Sequence, residues 1–412
     1  MEMHATSDSP TFPETLAGVP LDLFASLPRS DQRLKAEEYV AGLLAAHGRK
    51  TLRNVADQFG GEAARKQSVH HFISESSWEW EPVRRGLARH ADELLDPQAW
   101  VVRPTVVPKA GGHSVGVAEY FVPELGRTVT GQQSYGAWLA SPAAGVPVNW
   151  QLVLPADWVE DDSRRRRAHI PETSRALSPE ENAGDVALRA ARSLPGTPHP
   201  VVLDAPGLDP LRMGRHFEAA GIPLVQRVDD RIRLRVDPLA LPGHGVLPHT
   251  PGRLVASLRR LWRPYAPLTG GGRSLTMTVP VTLHEARDGG GGREAGGARL
   301  LVAQWPEADP SAVRLWLADP GMRPGDALRF AALAEVVDRD DALASARVGL
   351  RDFAGRSFQG WHRHITLASV AHLACIRTAG AAAGRVGDAA LRGRTRVRVG
   401  AGAGRGLLLR AG

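Results

Sequence analysis

Apolar residues recur along the chain with two different periods, and the change between them divides it. From Leu16 to about Leu95 the spacing is helical. Leu34, Tyr39, Val40, Leu43 and Leu44 share a stripe, a Gly48-Arg49-Lys50-Thr51 turn follows, and Leu52, Val55, Ala56 and Phe59 then form a second stripe. A third segment, Ala63 to Ser74, repeats the pattern with Val69, Phe72 and Ile73. From Trp100 the period shortens to that of strands, with runs at Trp100–Val102, Val115–Val117, Arg127–Gln133, Gly136–Leu139 and Val148–Leu154. A helix is predicted over Glu180–Arg192. Then comes Val201-Val202-Leu203-Asp204-Ala205-Pro206-Gly207, a buried strand ending in a carboxylate, followed by a helical pattern at Leu211, Phe217 and Ala220 and a second apolar run, Leu224–Val228. This is a strand, helix, strand unit. Asp204 stands at the carboxyl end of its strand, where open α/β sheets place their chemistry. A turn or helix N-cap role is the competing reading of the same aspartate.

Beyond Val228 short strands at Arg231–Val236, Ser274–Leu283, Leu300–Trp305 and Val313–Leu317 alternate with loops rich in proline and glycine, and predict a β-rich insertion over about 229–322. Gly289–Gly297 reads as a flexible excursion within it. Helical spacing returns from Pro324 to Gly349 and again from Ser357 to Ile376. The second stretch holds His362 and His364. Residues two apart on a helix point to different faces, so this pair reads as structural or DNA-facing rather than chelating. The resulting division is a disordered N-terminus (1–15), a small helical domain (16–96), an α/β core (97–376) and an Arg/Gly/Ala-rich tail (377–412) with no apolar period, expected to be disordered.

Composition narrows the function. The lone cysteine, Cys375, excludes an intramolecular disulfide, and no Cys/His metal cluster can be built around it. No apolar run is long enough to span a bilayer and Met1–Glu14 is polar, so a cytoplasmic location is expected. The net charge of +7 invites a nucleic-acid reading. Residues 377–412, however, carry eight arginines and one acid, so residues 1–376 are formally neutral and any DNA contact there rests on local patches. Arg49, Lys50, Arg53, Arg65 and Lys66 form one such patch, on short helices laid out like a helix-turn-helix and making 16–96 a candidate DNA-binding domain. Arg164-Arg165-Arg166-Arg167 cannot share one helix face, so the run reads as solvated, with a phosphate contact as the functional alternative. The loop Pro108-Lys109-Ala110-Gly111-Gly112-His113-Ser114 would let an anion approach its backbone, although its spacing is not that of a phosphate-binding loop.

The boxes Pro108-Lys109 to Val117, Asp204, and Gly349-Leu350-Arg351-Asp352-Phe353-Ala354-Gly355-Arg356-Ser357 followed by Gly360-Trp361-His362-Arg363-His364 resemble, in order, those of bacterial DDE insertion-sequence transposases. The resemblance spans roughly residues 15–376. It implies an RNase H-like catalytic core in which three acids hold two Mg²⁺ ions for in-line displacement at phosphorus. It further implies double-stranded DNA of the element ends as partner, with a homodimer left open. Carried over residue by residue, it assigns Asp204 and Asp338 as catalytic, metal-binding acids. It assigns Lys109, His113, Arg356, His362 and His364 to DNA, beside the basic residues of the helical domain. Arg103 stands where the first acid belongs, Ser345 where a lysine belongs, and Ala354 where a glutamate belongs. An arginine repels a metal ion instead of binding it. The expectation is therefore a transposase-like protein with impaired strand cleavage, and the alternative is an inactive, DNA-binding or regulatory derivative. Glu119 and Asp209 are the acids considered as substitutes, without a spacing argument for either.

Overall fold

The computed structural model describes residues 15–59, 63–122, 125–196, 198–242, 247–265, 274–285, 293–306 and 313–396. The expected disordered N-terminus lies almost wholly outside them, as do residues 397–412. The chain opens with a short 3-10 helix, Leu21–Ser26, and four helices, α1 (Ser30–Ala45), α2 (Leu52–Asp57), α3 (Ala63–Ser74) and α4 (Trp80–Leu95). The Thr51 hydroxyl accepts the Asn54 N–H and starts α2, as the turn signal predicts.

Four strands follow, β1 (Ala99–Pro108), β2 (Val117–Val122), β3 (Arg127–Ala140) and β4 (Gly145–Leu152), and then the short helices α5 (Ala156–Glu160) and α6 (Asp162–Arg167) and the longer α7 (Pro179–Arg192). Ser178 and Glu181 close a capping box at the start of α7, with Pro179 in its first turn. The strand, helix, strand unit is β5 (Val201–Leu203), α8 (Pro210–Ala219) and β6 (Leu224–Val228). Asp209, one of the two substitute acids, is the N-cap of α8 and accepts the Leu211 and Arg212 N–H groups. Glu119 sits exposed on β2, at one end of the sheet.

The remaining elements are β7 (Leu234–Val236), α9 (Pro251–Ser257), β8 (Arg263–Tyr265), β9 (Ser274–Glu285), β10 (Arg293–Pro306), β11 (Arg314–Ala318), α10 (Pro324–Val348) and α11 (Phe358–Arg396). Among the described residues all eleven strands belong to one sheet, ordered β2-β3-β1-β5-β6-β11-β10-β9-β7, with β4 on β3 and β8 on β9. β1, β5 and β6 are parallel, and β3 and β11 flank them in antiparallel fashion. The β-rich insertion is thus an extension of the central sheet, joined through the β6–β11 pairing. It keeps a core of its own, where Leu254, Val255 and Leu258 cover Met277, Val279, Val281 and Leu301.

Three expectations need correction. Arg127–Gln133 and Gly136–Leu139 are one strand, continuous through Gly136. An added Cβ at Gly136 would lie 2.6 Å from the Trp150 ring, so the residue that suggested a break is there to admit the indole. The glycine-rich excursion continues into β10 from Arg293, with residues 286–292 outside the described ones. The tail expected to be disordered begins inside α11, which runs to Arg396. That helix is buried along its first half, with Leu367, Ala368, Val370 and Ala371 fully enclosed, and it packs on α1, α4 and β4. It thereby ties the helical region to the sheet through a continuous apolar core.

Candidate active site

The central parallel strands set the site through register alone. Val102 pairs with Leu203 and Leu203 with Gln226, and the Asp204 N–H donates to the Val102 carbonyl at 2.8 Å. The next residue along each chain segment is therefore Arg103, Asp204 or Arg227, and the three stand side by side, midway along β1, just past the end of β5 and near the end of β6. Residues in one register row share a face of the pleat. The antiparallel pair Trp316–Arg227 continues the sheet toward Arg314, two residues earlier on β11.

α10 faces this row with acids. Glu335, Asp338 and Asp341 recur at i, i+3 and i+6, a spacing that puts them on one side of a helix. Each is met by a guanidinium. Arg314 pairs with Glu335, Arg103 pairs with Asp338, and Arg351, from the segment after α10, pairs with Asp341. Arg103 also lies 3.9 Å from Asp341, and Arg227 holds Asp204 at 2.8 Å. Four carboxylates thus interleave with four arginines. Asp204 and Asp341 are almost fully buried, with side chains 4% and 2% exposed, and each has a guanidinium beside it to offset the cost of burying a carboxylate. Asp338 is more open at 41%. Desolvation still raises its pKa above the ordinary carboxylate value, with Arg103 pulling it down and Asp204 pushing it up.

The structure thus brings together three positions that the sequence singled out, Arg103, Asp204 and Asp338. The turn or N-cap reading of Asp204 falls away, since its carboxylate is held by Arg227. Arg227, Arg314, Glu335, Asp341 and Arg351 were missed. The acid spacing on α10 is visible in the sequence, but the arginines on β6 and β11 are recognisable only once the register is known. Ser345, at the position of the expected lysine, has a buried hydroxyl without a hydrogen-bond partner.

The expected DNA contacts divide. Arg53, Arg65, His113 and Arg356 are exposed, and Arg49 is exposed beside Asp352 at 3.8 Å. Lys66 is half-buried and bridges to Asp57 at 2.9 Å. Lys109 is also half-buried and donates to the Phe353 carbonyl at 2.5 Å, and burial draws its pKa down to about 8. Three others are interior. Lys50 is buried under Gly349, and its backbone N–H donates to Asp352. His364 lies between the Tyr39 hydroxyl at 2.8 Å and the Gly349 carbonyl at 3.0 Å. His362 stacks on Trp80 with ring centroids 4.6 Å apart and contacts the buried Arg84 at 3.1 Å. The reason is common to the two histidines: the α11 segment that carries them is enclosed on every side, so neither imidazole reaches the surface.

A metal site requires anionic oxygens free to coordinate. Here Asp204 and Asp338 each have a guanidinium in contact, and Arg103 places a cation against Asp338. Among the described residues, no group of three or more His, Cys, Asp or Glu is placed to hold a metal ion. The residues present do not fit a pair of divalent ions.

Residues 22–240 match the family model of the DDE superfamily endonuclease. The chain belongs to this DDE superfamily endonuclease family. The match covers the helical region, β1 to β6 and α8, and so includes Arg103 and Asp204. Membership makes the mixed sheet with flanking helices an RNase H-like fold and this chain a transposase-like member of the endonuclease group. The family's chemistry generally uses divalent metal ions and acts on DNA. No curated protein matches the chain. Among the described residues, no helix of this DDE endonuclease is long and apolar enough to cross a membrane.

Proposed function

We propose that this DDE endonuclease relative binds double-stranded DNA without cutting it, its metal-binding acids having been converted into an arginine-clamped salt-bridge cluster. The carrying observation is the Arg103–Asp338 pair beside the Arg227–Asp204 pair. Removing the first acid deletes one ligand. Putting an arginine there also supplies fixed positive charge where the ions would sit, so the carboxylates are neutralised by the protein itself. The mechanism that follows is one of recognition. Phosphates are held by exposed cations, while Asp204 and Asp338 retain the local geometry of the sheet ends.

In the finer form of this reading, the DNA consists of the ends of an insertion element, the place of action is the cytoplasm and two protomers hold two ends. The family match and the ordered Pro-Lys, Gly-Arg-Ser and Gly-Trp-His boxes support it. Footprinting tests the proposal. Protection of a defined sequence, with no nicking in Mg²⁺ or Mn²⁺, is the expected result; metal-dependent cleavage by the unaltered chain that disappears in Asp204→Asn overturns it. The competing reading, residual cleavage, draws on the Asp204 charge that still acts on Asp338. It predicts measurable nicking before any substitution is made.

A further inference from the structure

The four-arginine run does not act as a unit. α6 spans only Asp162–Arg167, and its arginines take separate directions. Arg165 turns inward, donating to the Val159 carbonyl at 3.3 Å and the Pro171 carbonyl at 2.8 Å, so it fastens the following loop. Arg166 is exposed and 3.9 Å from Asp162. Arg164 and Arg167, three apart and hence on one face, line a cavity of about 470 Å³ together with Gly112, His113, Trp158 and Arg356. None of these residues belongs to the salt-bridge cluster of the candidate active site.

Three guanidiniums and an imidazole line this cavity, and no carboxylate does. Arg164 is already engaged, paired with Asp157 and placed over the Trp158 ring at 5.4 Å from its centroid. Arg167 has only the Ser163 carbonyl, at 3.2 Å, and Arg356 has neither a hydrogen bond nor an ion pair among the described residues. Both remain available to an anion. The walls are fixed independently of them. The Trp158 indole N–H donates to the Val117 carbonyl at 2.9 Å, and the Phe358 N–H donates to the Ala168 carbonyl at 2.8 Å. The glycine loop is anchored at one end by Lys109 on Phe353 and at the other by Gln132 on the Val115 carbonyl. The volume falls within the range of small-ligand pockets, room for a phosphate together with its sugar.

Resting on the DNA-binding reading above, the geometry points to this cleft as the seat of one backbone phosphodiester, gripped by Arg167 and Arg356 with His113 as an additional hydrogen-bonding group. The aromatic face is covered by Arg164, so the cleft takes the phosphate and leaves the base outside. Arginine forks match phosphate oxygens in pairs, and such a contact positions a strand without reading its sequence.

The test compares the full-length protein with the double variant Arg167→Gln, Arg356→Gln. Both side chains are exposed, and an unchanged thermal unfolding midpoint certifies the fold. Affinity for a mixed-sequence duplex is measured across salt concentrations, and the His113 imidazole resonance is followed as inorganic phosphate is added. The proposal expects the slope of log K against log salt to become shallower by roughly 0.9, the loss of one neutralised phosphate. It also expects phosphate to move the His113 signal in the parent and not in the variant. If the parent binds duplex DNA and the variant keeps the same slope, the cleft assignment is overturned while the DNA-binding reading stands. If the parent has no affinity for DNA, yet phosphate moves His113 only in the parent, the cleft is a free-anion site. The strand assignment and the DNA-binding reading then both fall.

Discussion

At the scale of single residues, the centre of this protein is Arg103, whose charge is felt by two neighbouring acids, Asp338 and Asp341. An arginine on a central parallel strand needs a counter-charge, and Asp338 provides it. Replacing Arg103 with alanine leaves Asp338 and the buried Asp341 short of positive charge. With Asp338 partly exposed, the cost is expected at about 1–3 kcal/mol, below that of breaking a fully buried pair. Denaturant unfolding checks this, and no loss of stability would show the pair to be idle. Asp204 stood out in the sequence as the acid that ends an apolar run, but the same residues read equally as a turn or helix N-cap, and only the resemblance of the other boxes singled it out. Arg227 was not legible, since nothing in Leu224–Val228 says which residue will lie beside Asp204 until the strands are aligned.

At the scale of elements, α11 is the most heavily loaded part of the fold. Its three histidines, His362, His364 and His372, are all buried, and burial holds each imidazole's pKa below its ordinary value. For His364 the value is about 4 against 6.5 unperturbed. The groups facing it are the Tyr39 hydroxyl, the Gly349 carbonyl and the Phe353 ring, with Asp352 raising its pKa and Lys109 lowering it. Because the folded pKa is depressed, the neutral ring favours the fold. That contribution is complete above about pH 6.5 and is lost as pH falls toward 4. Its full size is about 3 kcal/mol for this one histidine. Stability should therefore decline through the mildly acidic range, and His364→Gln should flatten that decline. A pH-independent unfolding free energy over the same range would contradict the account. Within β3, Gly136→Ala should cost about 1–3 kcal/mol by forcing the Trp150 ring aside, a loss that calorimetry would register. The sequence placed α7, α8, β5, β6 and α10 to within a residue or two because caps, prolines and glycines bound them. It divided β3 because a glycine chosen for cross-strand packing looks the same as a glycine chosen for a turn.

At the scale of the whole molecule, the sheet unites parts that composition separates. The proline- and glycine-rich insertion looked like an added β region, yet β11 returns to pair with β6 and brings Arg314 to the acidic face of α10. The charge balance of the site therefore depends on a segment far from Asp204 in sequence. Formal neutrality over residues 1–376 is also spatially uneven: acids and arginines balance one another in the cluster at α10, whereas Arg167 and Arg356 meet at the α6 cleft, which no carboxylate lines. Affinity for duplex DNA should consequently fall steeply with salt, as binding anisotropy would show; salt-insensitive binding would rule out a phosphate-led interaction. The central claim is that arginines occupy the electrostatic role of the metal ions. Thermal unfolding in rising Mn²⁺ tests it most directly, comparing the parent protein with Arg103→Asp. Ligands that bind only the folded state raise its midpoint. No saturable rise is expected for the parent and a saturable rise once Arg103 becomes aspartate; a saturable rise in the parent that vanishes in Asp204→Asn would show that the arginines leave the metal site open.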